Sequence, residues 1–200
     1  MNQNRRKIFQ YLCAHPCLEI GPIAKGIGLS RSSIKWHLDK LIDSGYVQIH
    51  GEKIAYCPYR LISRKNIGLF SILARDKCMA VYKAILQNPG SDPSAIKGLL
   101  NISPTKIRSC LSDLMEMDLI SLMKDGKYTR YFPTERYNEA IREEKITQRE
   151  FVRYLVNKLS MEHLKPEIIE LKGTNIVISI NVLGQVDRII IPHIVQFGLE

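Results

Sequence analysis

Apolar residues recur at helical spacing through the first two thirds of the chain, and the helices this predicts are short and separated by hairpin signals. The plainest case is Gly28 to Gly51, GLSRSSIKWHLDKLIDSGYVQIHG. Ile34, Leu38, Leu41 and Ile42 fall on one helical stripe. Ser30 stands where a side chain can cap the helix start, and Gly45 supplies the left-handed residue that ends it. At 100° per residue Ser32, Trp36 and Lys40 point away from the stripe, with Ser33 and Lys35 on its flanks. Tyr46–His50 and Ile54–Tyr59 read as strands around a Gly51-Glu52-Lys53 turn.

A capped helix that runs straight into a hairpin is the second half of a winged helix-turn-helix, and the first half lies just upstream. Asn4–Ala14 carries Ile8, Leu12 and Cys13 on one face, Ile20–Ile27 turns Ile23 and Ile27 inward, and Gly28-Leu29-Ser30 makes the tight turn. The segment LSRSSIKWHLDKLIDSGYV resembles the recognition-helix region of ArsR/MarR-type winged-helix regulators, particularly archaeal ones. The matching positions are Leu29, Ser30, Ile34, His37, Leu38, Leu41, Gly45 and Val47. The resemblance implies a DNA-binding regulator, and it gives His37 the place of a half-buried structural histidine.

The pattern then repeats without a gap. Ile8 and Val81, Pro16 and Pro89, Ile23 and Ile96, Ser30 and Ser103, Ile34 and Ile107, Leu38 and Leu111, Leu41 and Leu114, and Val47 and Ile120 are each separated by 73 residues. This predicts a second first helix over Cys78–Gln87, a second helix over Pro93–Leu100 and a second recognition helix over Pro104–Met117. Ser103 is its cap and Pro104 takes the favoured first helical position. Ser121–Phe132 folds over Asp125-Gly126 as its wing.

Charge adds a partner to this picture. Residues 1–60 hold 9 basic and 4 acidic residues, 61–133 hold 11 and 6, and 134–200 hold 9 and 10, so the excess of +9 belongs to the two repeats. Localised positive charge of this kind is the first requirement for nucleic-acid affinity. The candidate DNA contacts in the first copy are Arg31, Ser32, Ser33, Lys35, Trp36 and Lys40 on the helix and Lys53 on the wing. In the second copy they are Thr105, Lys106, Arg108 and Ser109 on the helix, with Lys124, Lys127 and Arg130 on the wing. Trp36 suits either stacking on DNA or packing against the sister copy.

Arg60–Leu73 joins the copies, and its apolar Ile67–Leu73 stretch predicts a docked helix. From Thr134 the composition shifts. Glu135–Arg149 alternates charges as a solvated helix does, and Phe151, Val152, Leu155, Val156 and Leu159 then form an apolar face lasting to about His163. Ile168–Leu171, Ile176–Ile180 and Ile189–Ile191 read as β-branched strands. This tail suits either dimerisation, burying its surplus apolar surface against a second copy of the chain, or padding of the second module.

The remaining chemistry is sparse. Five cysteines, Cys13, Cys17, Cys57, Cys78 and Cys110, are odd in number and scattered, which predicts reduced thiols. Cys13-Ala14-His15-Pro16-Cys17 groups three possible ligands, but Cys13 falls on a buried helix face, Pro16 breaks the chain and no second ligand pair has zinc-like spacing. Gly26-Ile27-Gly28 lacks the Lys-Ser/Thr of a phosphate loop, and no histidine has a catalytic carboxylate pattern nearby. There is neither an apolar leader nor a membrane-length apolar run.

The sequence therefore predicts a mainly helical α+β protein. Its parts are winged-helix module 1 at 1–60, a linker helix at 61–74, winged-helix module 2 at 75–133 and a helix-plus-strands element at 134–200. The expected function is sequence-specific, non-enzymatic transcription regulation in the cytoplasm. The expected partner is double-stranded DNA, with pairing of two chains through 134–200 and no cofactor, metal, membrane or small-molecule effector. Alternatives stand beside it. Kleisin-associated segregation scaffolds resemble this length and architecture but tend to be acidic, a metal- or redox-sensing repressor would have only Cys13, His15 and Cys17 to use, and an activator of archaellum-operon type has the same sequence features.

Overall fold

The computed structural model of the chain describes residues 2–51, 54–170, 175–182 and 184–192. Helices α1 (Gln3–Ala14), α2 (Ile20–Ile27) and α3 (Arg31–Asp43) lead into a hairpin of β1 (Val47–His50) and β2 (Ala55–Pro58). After α4 (Arg64–Leu73) the same order returns as α5 (Asp76–Gln87), α6 (Pro93–Leu99), α7 (Pro104–Glu116), β3 (Ile120–Asp125) and β4 (Tyr128–Pro133). A long helix α8 (Arg136–Met161) and three strands, β5 (Glu167–Glu170), β6 (Asn175–Val182) and β7 (Gln185–Pro192), follow. The fold is mainly helical α+β with small antiparallel sheets, and its N-terminal part is a winged-helix domain. Two compact units divide the chain, Met1–Ile67 with Ile141–Gln196 and Gly68–Ala140, so the division falls inside α4 and α8.

In the first unit Asn2 opens α1 by accepting the Arg5 N–H at 3.0 Å, and Ser30 opens α3 by accepting the Ser33 N–H at 3.2 Å. Gly28 and Gly45 take φ of 77° and 70°, a region that costs glycine nothing, and so close α2 and the turn after α3. Ile8, Phe9, Leu12, Ile23, Ile34, Leu38 and Leu41 are all essentially inaccessible to solvent. Burying each contributes on the order of 1.5–3 kcal/mol, so these stripes hold the helices together. β1 and β2 pair from Val47 with Pro58 to His50 with Ala55, and a bridge between Leu18 and Tyr56 ties the loop after α1 to the wing.

The C-terminal strands belong to this first unit. The expectation that they pad the second module is corrected by their packing. The inward face of the β6–β7 pair buries Ile176, Ile178, Ile180, Ile189 and Ile191, and Arg6 of α1 pairs with Asp187 of β7 at 2.6 Å. The second half of α8 joins them. Phe151, Leu155 and Leu159 are buried, Tyr154 Oη donates to the Gly45 carbonyl at 2.8 Å, and Lys158 Nζ lies 4.8 Å from the centre of the Tyr46 ring.

The charged stretch at the middle of α8 is not uniformly solvated. Glu144 is buried and accepts the Ser63 N–H at 3.0 Å, the Ser63 hydroxyl at 2.5 Å and an Asn66 amide hydrogen at 2.7 Å. A carboxylate is thus placed on the N-terminus of α4, where the unpaired amides and the helix dipole favour negative charge. Its neighbour Glu143 takes Lys65 at 2.6 Å and Asn66 at 2.9 Å.

The second unit has the same order of three helices and a hairpin. Asp92 caps α6 and Ser103 caps α7, while Val81, Ile85, Ile96, Ile107, Leu111 and Leu114 form the core. A bridge between Ser91 and Tyr131 ties its loop to its wing as Leu18 and Tyr56 do in the first, and Ser91 is 73 residues beyond Leu18. One expectation is corrected here. Cys78 and Cys110 form a disulfide between α5 and α7, where the helices approach to 5.0 Å between Cα atoms, so these two cysteines are not reduced thiols.

Candidate nucleic-acid interface

The candidate surface of the first unit begins at the start of α3. The cap turns the chain so that Arg31 and Ser32 are exposed and Ser33 half-exposed, and one turn later Lys35 and Trp36 emerge beside each other. Ile34, His37 and Leu38, interleaved with them, are buried, so the helix is held from behind while its leading end is open. Trp36 is 55% exposed, and its ring meets that of His37 edge-on at 4.9 Å. The indole is therefore braced at one edge with its remaining surface available for stacking. The Arg31 guanidinium lies along α2, where a methyl built on Gly21 would stand 3.3 Å from it. Lys40, further along, reaches Asp43 at 3.3 Å. Lys53 lies outside the described residues.

In the second unit Thr105, Arg108 and Ser109 are exposed at the start of α7 and Lys106 is half-exposed. The wing carries Lys124 and Lys127 in the open, with Lys127 Nζ 5.3 Å from the centre of the Tyr128 ring. Arg130 differs from them. It pairs with Asp125 at 2.7 Å and donates to the Gly90 carbonyl at 3.2 Å, and the Asp125 hydrogen bond and charge hold its pKa above the ordinary arginine value. Its charge is spent within the wing, so Lys124 and Lys127 are the cations best placed to meet a phosphate. The sequence reading missed Tyr128, whose exposed ring beside Lys127 was signalled only by its place just after the Asp125-Gly126 turn.

The structure thus brings together the α3 residues Arg31, Ser32, Ser33, Lys35 and Trp36, and separately the α7 residues with their wing lysines. The Cys13, His15 and Cys17 grouping does not converge. Cys13 and Cys17 are buried while His15 is exposed with its ring 4.7 Å from that of Tyr11. Among the described residues no three His, Cys, Asp or Glu side chains gather as metal ligands, and no helix is long and apolar enough to cross a membrane.

Residues 1–48 match a family described as winged helix-turn-helix DNA-binding, which covers α1 to the start of β1. No curated protein matches the sequence. Among solved structures, the crystal structure of the DIP2311 protein from Corynebacterium diphtheriae aligns with 65% of this chain at 16% identity and a TM-score of 0.27. This chain spans 26% of that one.

Proposed function

We propose that the chain is a sequence-specific transcriptional regulator that binds double-stranded DNA through two winged-helix units, similar to the archaeal ArsR/MarR type. The observation that carries this reading is the matched N-terminal domain, whose α3 is buried on one side and opens Arg31, Ser32, Lys35 and Trp36 on the other. A recognition helix enters the major groove by its N-terminal end, where side chains of this length reach base edges, and wing lysines meet phosphate. The repeated element order and the constant spacing of 73 residues support the second unit as a copy with the same task. The protein acts by binding and not by catalysis, in the cytoplasm. Pairing of two chains would use the outer face of the C-terminal sheet, where Val186 and Ile190 are exposed.

Titration against genomic fragments tests the reading. Affinity should fall steeply with salt, with a log–log slope of several units if ~5–10 phosphates are neutralised. Absence of binding at low salt would reject it. A second reading, that the second unit grips protein, draws on Leu122, Met123 and Tyr128, all exposed on its wing. It predicts that altering Arg108 and Lys127 leaves the salt slope unchanged.

A further inference from the structure

Three thiols are buried inside the first unit, and two of them meet. Cys13 closes α1, Cys17 follows the turn at Pro16, and Cys57 lies in β2; all three are buried. Cys17 has φ of 63°, a conformation that side-chain-bearing residues rarely adopt. The Sγ atoms of Cys17 and Cys57 are 2.9 Å apart. Only about 0.9 Å separates that distance from an S–S bond of roughly 2.05 Å. The backbone on either side is already joined, because the Tyr56 N–H donates to the Leu18 carbonyl at 2.8 Å. The two sulfurs are thus held side by side, with only a short distance left to close.

We infer that Cys17 and Cys57 are a thiol–disulfide couple, oxidised by a low-molecular-weight disulfide such as oxidised glutathione. One thiolate attacks the small disulfide and releases one small thiol. The neighbouring thiolate then attacks the mixed disulfide at the protein sulfur, forming Cys17–S–S–Cys57 and releasing the second small thiol. Two protein thiols are oxidised and one small disulfide is reduced to two thiols, so electrons and protons balance. Both thiols are buried, so the reagent reaches them through local opening of the unit. Cys13 is the bystander. Burial, with Cys57 adding to it, pushes its thiol far above the ordinary cysteine range, so it supplies little thiolate to compete.

The bond would close a loop running from Cys17 to Cys57, a separation of 40 residues that contains α2, α3 and β1. The whole helix-turn-helix would then be fastened to the wing, and the unfolded chain would lose the freedom of that loop. This inference does not depend on DNA binding.

The test uses the full chain, equilibrated with dithiothreitol or with oxidised glutathione, quenched in acid, alkylated under denaturing conditions and mapped by mass spectrometry. In dithiothreitol Cys13, Cys17 and Cys57 should all be alkylated. After oxidation Cys17 and Cys57 should appear in one cross-linked peptide pair with Cys13 still alkylated. The oxidised protein should melt several degrees above the reduced one. That difference should survive in a Cys78→Ala/Cys110→Ala variant, which lacks the other disulfide, and vanish in Cys57→Ser. Alkylation of both Cys17 and Cys57 after oxidation, or a Cys13–Cys57 cross-link in the unmodified sequence, would overturn the assignment. Should Cys57→Ser fail to fold, the peptide map of the unmodified sequence decides alone.

Discussion

His37 and Arg5 stand 73 residues before Cys110 and Cys78, so the same contact between first and third helix is filled by an imidazole near a guanidinium in one unit and by a disulfide in the other. His37 is buried, its Nδ1 has no hydrogen-bond partner among the described residues, and burial, with Arg5 assisting, holds its pKa below the ordinary value. The folded state therefore keeps His37 neutral at pH values where the unfolded chain already takes up a proton. Above about pH 6.5 the group is neutral in both states and costs nothing. As pH falls through that value the unfolded state is favoured, until the lower folded pKa is passed. Thermal melts from pH 8 to pH 5 should show a fall that His37→Asn makes shallower; equal slopes would mean that other groups dominate. At the recognition helix, Lys35→Ala or Trp36→Ala should narrow the gap between target and random DNA, each base contact being worth about 1–3 kcal/mol. Lys127→Ala should weaken all sequences alike, and competition binding with target and random duplexes separates the two effects. The caps Ser30 and Ser103 were legible because a hydroxyl before an apolar-periodic run has a local meaning. The Cys78–Cys110 bond was not, since it depends on how closely two helices cross.

Most helix boundaries were readable to within a residue or two from the apolar stripes, and α2 falls on Ile20–Ile27 as the spacing predicts, whereas α4 begins at Arg64, three residues ahead of the apolar Ile67–Leu73 stretch. What escaped was the partner of each polar face. Glu143 and Glu144 read as part of a solvated charge alternation, whereas Glu144 caps α4, a contact 81 residues away from Ser63 that no local pattern encodes. The glycines make the same point. A methyl on Gly26 in α2 would fall on the Tyr11 phenol, while one on Gly98 in α6 would meet nothing within 4 Å. Gly26→Ala should therefore destabilise the protein by about 1–3 kcal/mol through overpacking. Gly98→Ala should stabilise it by up to about 1 kcal/mol through helix propensity. Denaturant unfolding of the two variants checks both signs, and a stable Gly26→Ala would show that Tyr11 swings aside without cost.

Across the whole molecule the order of helices and hairpins was legible, because it is written in spacing and turn signals. The destination of the C-terminal strands was not, because β-branched runs announce strands without naming the surface they cover. A chain cut after Ala140 keeps every residue of 68–140 and removes the sheet and the greater part of α8, which belong to the first unit. Amide hydrogen exchange should then show α1 losing protection while α5 keeps it, and equal protection in both would mean that the sheet contributes little. Light scattering on the same pair tests pairing of chains through the C-terminal sheet, which predicts a dimer for the full chain and a monomer for the cut one. Among the described residues the first unit is also discontinuous in sequence, made of residues up to 67 and from 141 onward, while the second is one uninterrupted run. During synthesis at about 5–20 residues per second, residue 141 emerges roughly 4–15 s after residue 67. The uninterrupted unit is complete by then and can fold as soon as it clears the ribosome, whereas the α1 side that will meet β7 stays bare until the last strand arrives. The N-terminal unit is begun first and finished last, and that interval is when a nascent chain of this protein most needs a chaperone.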